Sequence, residues 1–248
     1  MTGDLIRGLQ ERAAWAFPAV RLAHLDGWWL RHTDSGAWWA GSVLPHGDPV
    51  PAELPDRIRS AEEFYAGHGA PARFQISPGA CPAGLDAALA GRGYHADFPM
   101  SLQSAPTAQV LPTEVPRVRV EDRPTGAWFD TWAAVHGTGG DPEPEWDLLR
   151  RVDRPSAYAS VSTPAGVVAV GRAVADTGWA GVFGMATLPA ARGRGAGRQV
   201  LAALARWAAD QRAERMYLQV EPDNRAAWRL YERAGFTELC RYHYRTQR

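Results

Sequence analysis

The chain has 248 residues, with 27 basic side chains against 27 acidic ones, so its formal net charge is zero. That length allows one large domain or two ordinary ones, and the charge balance gives no electrostatic support to nucleic-acid binding. No apolar run approaches the roughly 20 residues of a membrane span. The opening Met1-Thr-Gly-Asp-Leu-Ile-Arg7 lacks a signal peptide's apolar core, and Cys81 and Cys240 suit neither a disulfide framework nor a metal site, which predicts a soluble, cytoplasmic, metal-free protein without a membrane partner.

In chain order, residues 5–17 read as a first helix, ended near Pro18. Residues 27–32 and 37–44 read as strands paired around Asp34-Ser-Gly36. Residues 54–67 put Ile58, Ala61, Phe64 and Tyr65 on one helical face. A strand at 73–76, a short helix at 83–90 stopped by Gly91, and a strand at 94–103 follow. Ser104 to Pro116, with Pro106, Pro112 and Pro116 among small polar residues, reads as a linker. The domains are therefore placed at 1–105 and 117–248, with 106–116 between them. The second domain opens with a strand at 118–120 and a helix at 126–135. A loop from His136 to Glu145 leads into a helix at 146–152. Three strands at 157–161, 167–175 and 179–188 turn at residues 163–166 and 176–178.

The third strand runs into Thr187-Leu-Pro-Ala-Ala-Arg-Gly-Arg-Gly-Ala-Gly-Arg198, and residues 199–210 form a helix with Val200, Leu204, Trp207 and Ala208 on one face. A strand, a glycine turn and a helix leave the helix's first N–H groups unpaired, and glycines let an anion approach the backbone. Arg192, Arg194 and Arg198 add positive charge, so the stretch reads as a pyrophosphate cradle. The dinucleotide pattern would need glycine where Arg198 or Val200 stands, and the P-loop needs a lysine, of which the chain has none. From Arg192 onward there are 12 arginines against 6 acidic residues, and before it 15 against 21.

Downstream come a strand at 215–220, a turn Glu221-Pro-Asp-Asn224 in which Asp223 or Asn224 can cap the next helix, that helix at 225–233, and Gly235 as its left-handed stop. Asn224 is the only asparagine in a chain without lysine, the composition left by a GC-rich genome, and its survival points to a chemical requirement.

Arg192-x-x-Gly195-x-Gly197 resembles the acyl-coenzyme A loop of the GNAT acetyltransferases, and Asn224-x-x-Ala227-x-x-x-Tyr231-x-x-x-Gly235-Phe236 resembles their second motif. The element order over about residues 117–245 is similar to theirs. The resemblance implies an α+β fold: two GNAT-like domains, each a mixed, mostly antiparallel sheet flanked by helices. The first half repeats the order of the second, with Val43-Leu44-Pro45 against Thr187-Leu188-Pro189, Gln75 against Gln219, and Gly93-Tyr94 against Gly235-Phe236. It carries no glycine loop after Pro45 and no counterpart of Asn224 or Tyr231, so it reads as a degenerate copy. Its Trp28, Trp29, Trp38 and Trp39 suit either packing or a ligand cage.

The resemblance further implies acetyl transfer from acetyl-CoA directly to a primary amine, on a small molecule or peptide, in a ternary complex. Backbone near Met185 and Thr187 would bind the pantetheine arm and acetyl oxygen. The loop Arg192, Gly193, Arg194, Gly195, Ala196, Gly197 and Arg198 would hold the pyrophosphate, with Asn224 contributing. Tyr231 would protonate the leaving thiolate. The strand segment Val182-Phe-Gly-Met185 has no acid where many relatives carry a glutamate, which leaves Glu221, His136 or a water chain as base, with Glu221 ranked first. Asp141, Glu143, Glu145 and Asp147 border the implied acceptor groove and suit either a cationic amine or a solvated helix start. No Gly-x-Ser-x-Gly elbow is present, so a covalent acyl-enzyme is not expected. A non-catalytic acyl-CoA-binding protein on the same fold stays open as the alternative, and oligomeric state carries no sequence signal.

Overall fold

The computed structural model describes residues 2–34, 38–47, 50–111, 118–137 and 141–247. They form two compact units, one of Met1–Ser101 with Leu239–Arg248 and one of Leu102–Glu238.

In the first unit, α1 (Thr2–Ala16) buries Ile6, Leu9 and Ala13 at helical spacing. β1 (Arg21–Leu25) and β2 (Trp28–His32) then form an antiparallel hairpin. Its two-residue turn has positive φ at both positions, 44° at Asp26 and 89° at Gly27, the conformation of a tight hairpin turn and the one Asp-Gly favours.

This corrects the sequence reading, which starts the hairpin one strand too late. Trp38–Gly41 is a short 3-10 turn rather than strand. Its geometry is held by Trp39's carbonyl, which accepts from Ser42 Oγ at 3.3 Å and from the buried Arg31 guanidinium at 3.4 Å. The other arm of that guanidinium binds the Phe17 carbonyl at 2.9 Å, and burial pulls its pKa down to about 10. Ser35 and Gly36 of the expected turn lie outside the described residues. β3 (Leu44–Pro45) pairs with β2 through Trp29↔Leu44.

α2 (Leu54–Ala66) buries Leu54, Ile58, Ala61 and Tyr65, and β4 (Arg73–Ile76), α3 (Leu85–Gly91) and β5 (His95–Pro106) follow. The tryptophans pack: Trp28 is fully buried against Phe74, and Trp38 stacks on Phe98 with ring centroids 4.0 Å apart.

The second unit takes up the end of β5 and continues with α4 (Thr107–Val110), β6 (Arg119–Glu121), α5 (Gly126–His136), α6 (Glu143–Arg150), β7 (Ser156–Thr163), β8 (Gly166–Asp176) and β9 (Trp179–Thr187). α7 (Ala196–Asp210), β10 (Arg215–Val220), α8 (Arg225–Arg233) and β11 (Thr237–Thr246) complete the chain. Thr107–Val110 is thus a helical turn inside the stretch read as a linker, whose Pro112 and Pro116 lie outside the described residues.

The strands of this unit run in the order β5-β10-β9-β8-β7-β6. β6 to β9 are antiparallel neighbours, and β10 is parallel to β9. The neighbour of β10 is β5, and β11, most of which belongs to the first unit, pairs there antiparallel with β4, His243 opposite Ile76.

The core of the second unit forms where α7 lies on this sheet, with Val200, Leu201, Leu204 and Ala208 packed over Ala169, Ala173 and Val182. Leu204 is fully buried. Replacing it by alanine should lower the unfolding free energy by about 2–5 kcal/mol, read as a shifted urea midpoint with unchanged slope.

Candidate active site

The parallel ladder between β9 and β10 runs from Trp179↔Arg215 to Val182↔Leu218 and stops there. β9 continues to Thr187, leaving its edge beyond Val182 without β10 as a ladder partner. Its register with β8 slips between Val170 and Arg172, around Gly171, and Gly184 opposite has φ 60°. A Cβ on Gly171 would collide with Met185 Sδ and sit 2.8 Å from Val200 Cγ1. Trp128 Nε1 donates to the Gly171 carbonyl at 3.2 Å, and a Cβ on Gly184 would touch Trp132 at 3.4 Å. The irregularity is therefore built, with glycine required by packing on one strand and by backbone conformation on the other.

Past β9, Leu188 N–H bonds the Val168 carbonyl at 2.9 Å, and a 3-10 turn at Pro189–Ala191 reverses the chain. Gly193 and Gly195 follow in the left-handed region, φ 73° and 82°, with open space where a Cβ would stand. α7 begins at Ala196 with no side-chain cap, so its first-turn N–H groups have no intrahelical acceptor. Ala196 is buried, Arg194 and Arg198 are exposed, and Arg192 Nε donates to the Thr187 carbonyl at 3.1 Å. The position of a Gly197 Cβ lies 3.6 Å from both Thr187 Oγ1 and Leu230 Cδ2. The end of β9, the start of α7 and α8 converge on that glycine.

α8 is capped by Asn224, not Asp223: its Oδ1 accepts from Ala227 N–H at 3.1 Å. One turn from the helix end, Tyr231 is buried in the same apolar cluster as Ala196 and Val200, with Met185 and Leu230 packed against it. Its ring meets Phe236 edge-on at 5.9 Å. Burial alone holds the Tyr231 phenol well above its ordinary value, so it stays protonated. The structure thus brings Gly197 to Thr187 and places Met185, Ala196 and Tyr231 in or against one apolar cluster, with Arg192 tied to the end of β9 and Gly193, Arg194, Gly195, Arg198 and Asn224 on the adjoining turns.

Residues 2–245 match the family described as "Probable histone acetyltransferase Rv0428c C-terminal". The chain belongs to this acetyltransferase family. It is 28% identical to the "Uncharacterized N-acetyltransferase YobR" of Bacillus subtilis (strain 168), covering 99% of this chain and 100% of that one. A GCN5-related N-acetyltransferase from Kribbella flavida superposes with a TM-score of 0.75 at 17% identity, over 98% of this chain and 95% of that one. A tandem GNAT protein from the clavulanic acid biosynthesis pathway does so with 0.63 at 13% identity, over the same 98% and 95%. The fold is therefore a tandem GNAT fold and the protein an acyltransferase.

In the first unit the corresponding backbone makes an isolated bridge. Val43, which aligns with Thr187, bridges to Phe74 of β4: its N–H bonds the Arg73 carbonyl at 2.7 Å and its carbonyl accepts from Gln75 N–H at 3.0 Å.

Of the base candidates, Glu221 is exposed just after β10, and its backbone carbonyl accepts from Asn224 N–H at 3.1 Å. His136, the last residue of α5, places Nε2 3.1 Å from the Met185 carbonyl. The acidic segment is partly occupied by local structure. Asp141 accepts from Glu143 N–H at 3.0 Å, and Arg150 lies 4.0 Å from Glu143 and 3.6 Å from Asp147, while Glu145 is half-buried in α6.

Among the described residues no group of three or more His, Cys, Asp or Glu is placed to hold a metal, and no helix is long and apolar enough to cross a membrane. Asn224→Ala should cost about 1 kcal/mol of stability through the lost cap. Asn224→Asp, which keeps an acceptor, should recover most of it in the same denaturation assay.

Proposed function

We propose that the second unit moves the acetyl group of acetyl-CoA to a primary amine, on a small molecule or a peptide, within a ternary complex. The observation that carries this reading is the ladder end at Val182↔Leu218 beside an uncapped helix start. An open strand edge offers amides to an extended pantetheine arm, and unpaired first-turn amides over left-handed glycines offer a diphosphate a close approach. The positive charge of Arg192, Arg194 and Arg198 supports the same assignment.

In this reading Met185 and Thr187 line the arm, residues 192–198 hold the pyrophosphate and Asn224 flanks them. The amine nitrogen attacks the thioester carbon and the C–S bond breaks. The Tyr231 hydroxyl gives its proton to the departing sulfur. A buried phenol suits that task because its environment penalises the phenolate, so the proton is present when the thiolate forms. With no acid along β9, the amine's own proton goes to Glu221 or His136. Glu145 and its acidic neighbours favour an acceptor that arrives as a cation, and the family's printed description, which names a histone acetyltransferase, is in keeping with a lysine side chain. Cys81 and Cys240 form no disulfide, and burial pushes the Cys81 thiol up to about 12. Unbridged thiols are in keeping with a reducing cytoplasm.

Calorimetric titration with acetyl-CoA should find one site per chain, abolished by Gly195→Val because a β-branched residue cannot adopt φ 82° without strain. Two sites would refute the degenerate first half, and none would refute the donor. Tyr231→Phe should lower kcat by about 10²-fold or more while leaving acetyl-CoA affinity within a few-fold. Because burial raises the Tyr231 pKa from 10.0, its proton is retained as pH climbs, so the wild-type rate should lose nothing to this acid below pH 10. A falling limb at lower pH that vanishes in Tyr231→Phe would contradict the assignment.

A further inference from the structure

We infer that His136 Nδ1 is the proton acceptor of the transfer and that Glu221 is not; this rests on the amine-acetylation reading above. β9 carries no titratable side chain from Trp179 to Thr187, so the base must come from another element. His136 comes from α5, and its Nε2 meets the carbonyl of Met185, the residue at the strand irregularity, at 3.1 Å. A carbonyl only accepts hydrogen bonds, so Nε2 is the nitrogen that carries hydrogen. In the neutral imidazole that leaves the lone pair on Nδ1. The backbone of β9 thereby selects the tautomer and anchors the ring.

A second contact fixes its plane. The imidazole lies against the Trp132 ring, with centroids 5.8 Å apart and planes 37° from parallel, and Trp132 is the side chain on which Gly184 rests. Helix, ring and strand irregularity are thus one packed unit, and the group it presents beside Met185 is a base. Both side chains are exposed, but Glu221, after the end of β10, has no such tether and is held by a backbone bond of its turn.

The proton balance is simple. An ammonium substrate sheds two protons on becoming an amide. One ends on the sulfur of the leaving thiol by way of Tyr231, and the other leaves to solvent by way of His136 Nδ1. The Nε2–H bond to Met185 persists throughout and strengthens when the ring becomes cationic, since a charged donor binds a carbonyl more tightly. His136 therefore acts as a catalytic base without loosening the strand that binds the acetyl group.

The test uses the full chain, acetyl-CoA, and a lysine-bearing peptide or a diamine as acceptor, with free thiol release followed against pH. His136→Gln keeps an N–H that can reach the Met185 carbonyl but has no base. It should lower kcat/KM at neutral pH by about 10²-fold and flatten the acidic limb of the rate profile. Calorimetric affinity for acetyl-CoA should stay near wild type. Glu221→Gln should retain that limb. A limb that survives in His136→Gln, or disappears in Glu221→Gln, overturns the inference while leaving amine acetylation standing. Wild-type protein that binds acetyl-CoA but releases no thiol with any amine overturns both readings together.

Discussion

The candidate site depends on a backbone ladder that ends early. A strand edge in a folded interior normally finds a partner, because an unmet N–H or carbonyl keeps its full desolvation cost. β9 departs from β10 after Val182 because Gly171, Gly184 and the bond from Trp128 hold it in an irregular path against β8. The first half shows what happens without that device. At Val43 the two equivalent bonds to β4 are made, and those groups are no longer available to anything else. The two units thus differ at this point in whether a pair of backbone hydrogen bonds is made.

Around that opening, polar and apolar surroundings are divided. The arginines of the loop are exposed, so each contributes little alone; the oriented amides of an uncapped helix start supply the directional part. Tyr231 stands on the opposite footing, sealed among Ala196, Val200 and Phe236. Exposed positive charge thus flanks the opening, while the Tyr231 phenol lies in a medium that resists forming the phenolate. The same apolar cluster that stabilises α7 and α8 on the sheet provides that medium.

Much of this was legible in the residues because it is local. β10 and α8 fall on the segments their patterns mark, and the glycines at 193, 195 and 235 take the left-handed conformations their places require. Asp26-Gly27 was an equally local signal for the hairpin of β1 and β2 and outweighs the tryptophan-rich run that suggested a later pairing. Trp38 and Trp39 favour strand by composition, yet a buried guanidinium and a serine hydroxyl take the Trp39 carbonyl and curl the chain. α6 starts three residues before the expected Trp146, at Glu143, because Asp141 receives the Glu143 N–H. The bond from His136 to Met185 joins positions 49 apart and leaves no trace in spacing. The exchanged partners of β4 and β10 are non-local in the same way.

That exchange bears on how the protein is made. Apart from the single bridge at Val43, β4 finds its ladder partner in β11, and Arg73 donates to Thr246 across 173 residues of chain. During synthesis β4 therefore emerges long before β11, and its edge waits for that strand. Non-local strand pairing of this kind slows folding and leaves hydrogen-bonding edges exposed to other chains in the interval. The burden falls on the first unit, in which the ladder between β4 and β11 closes.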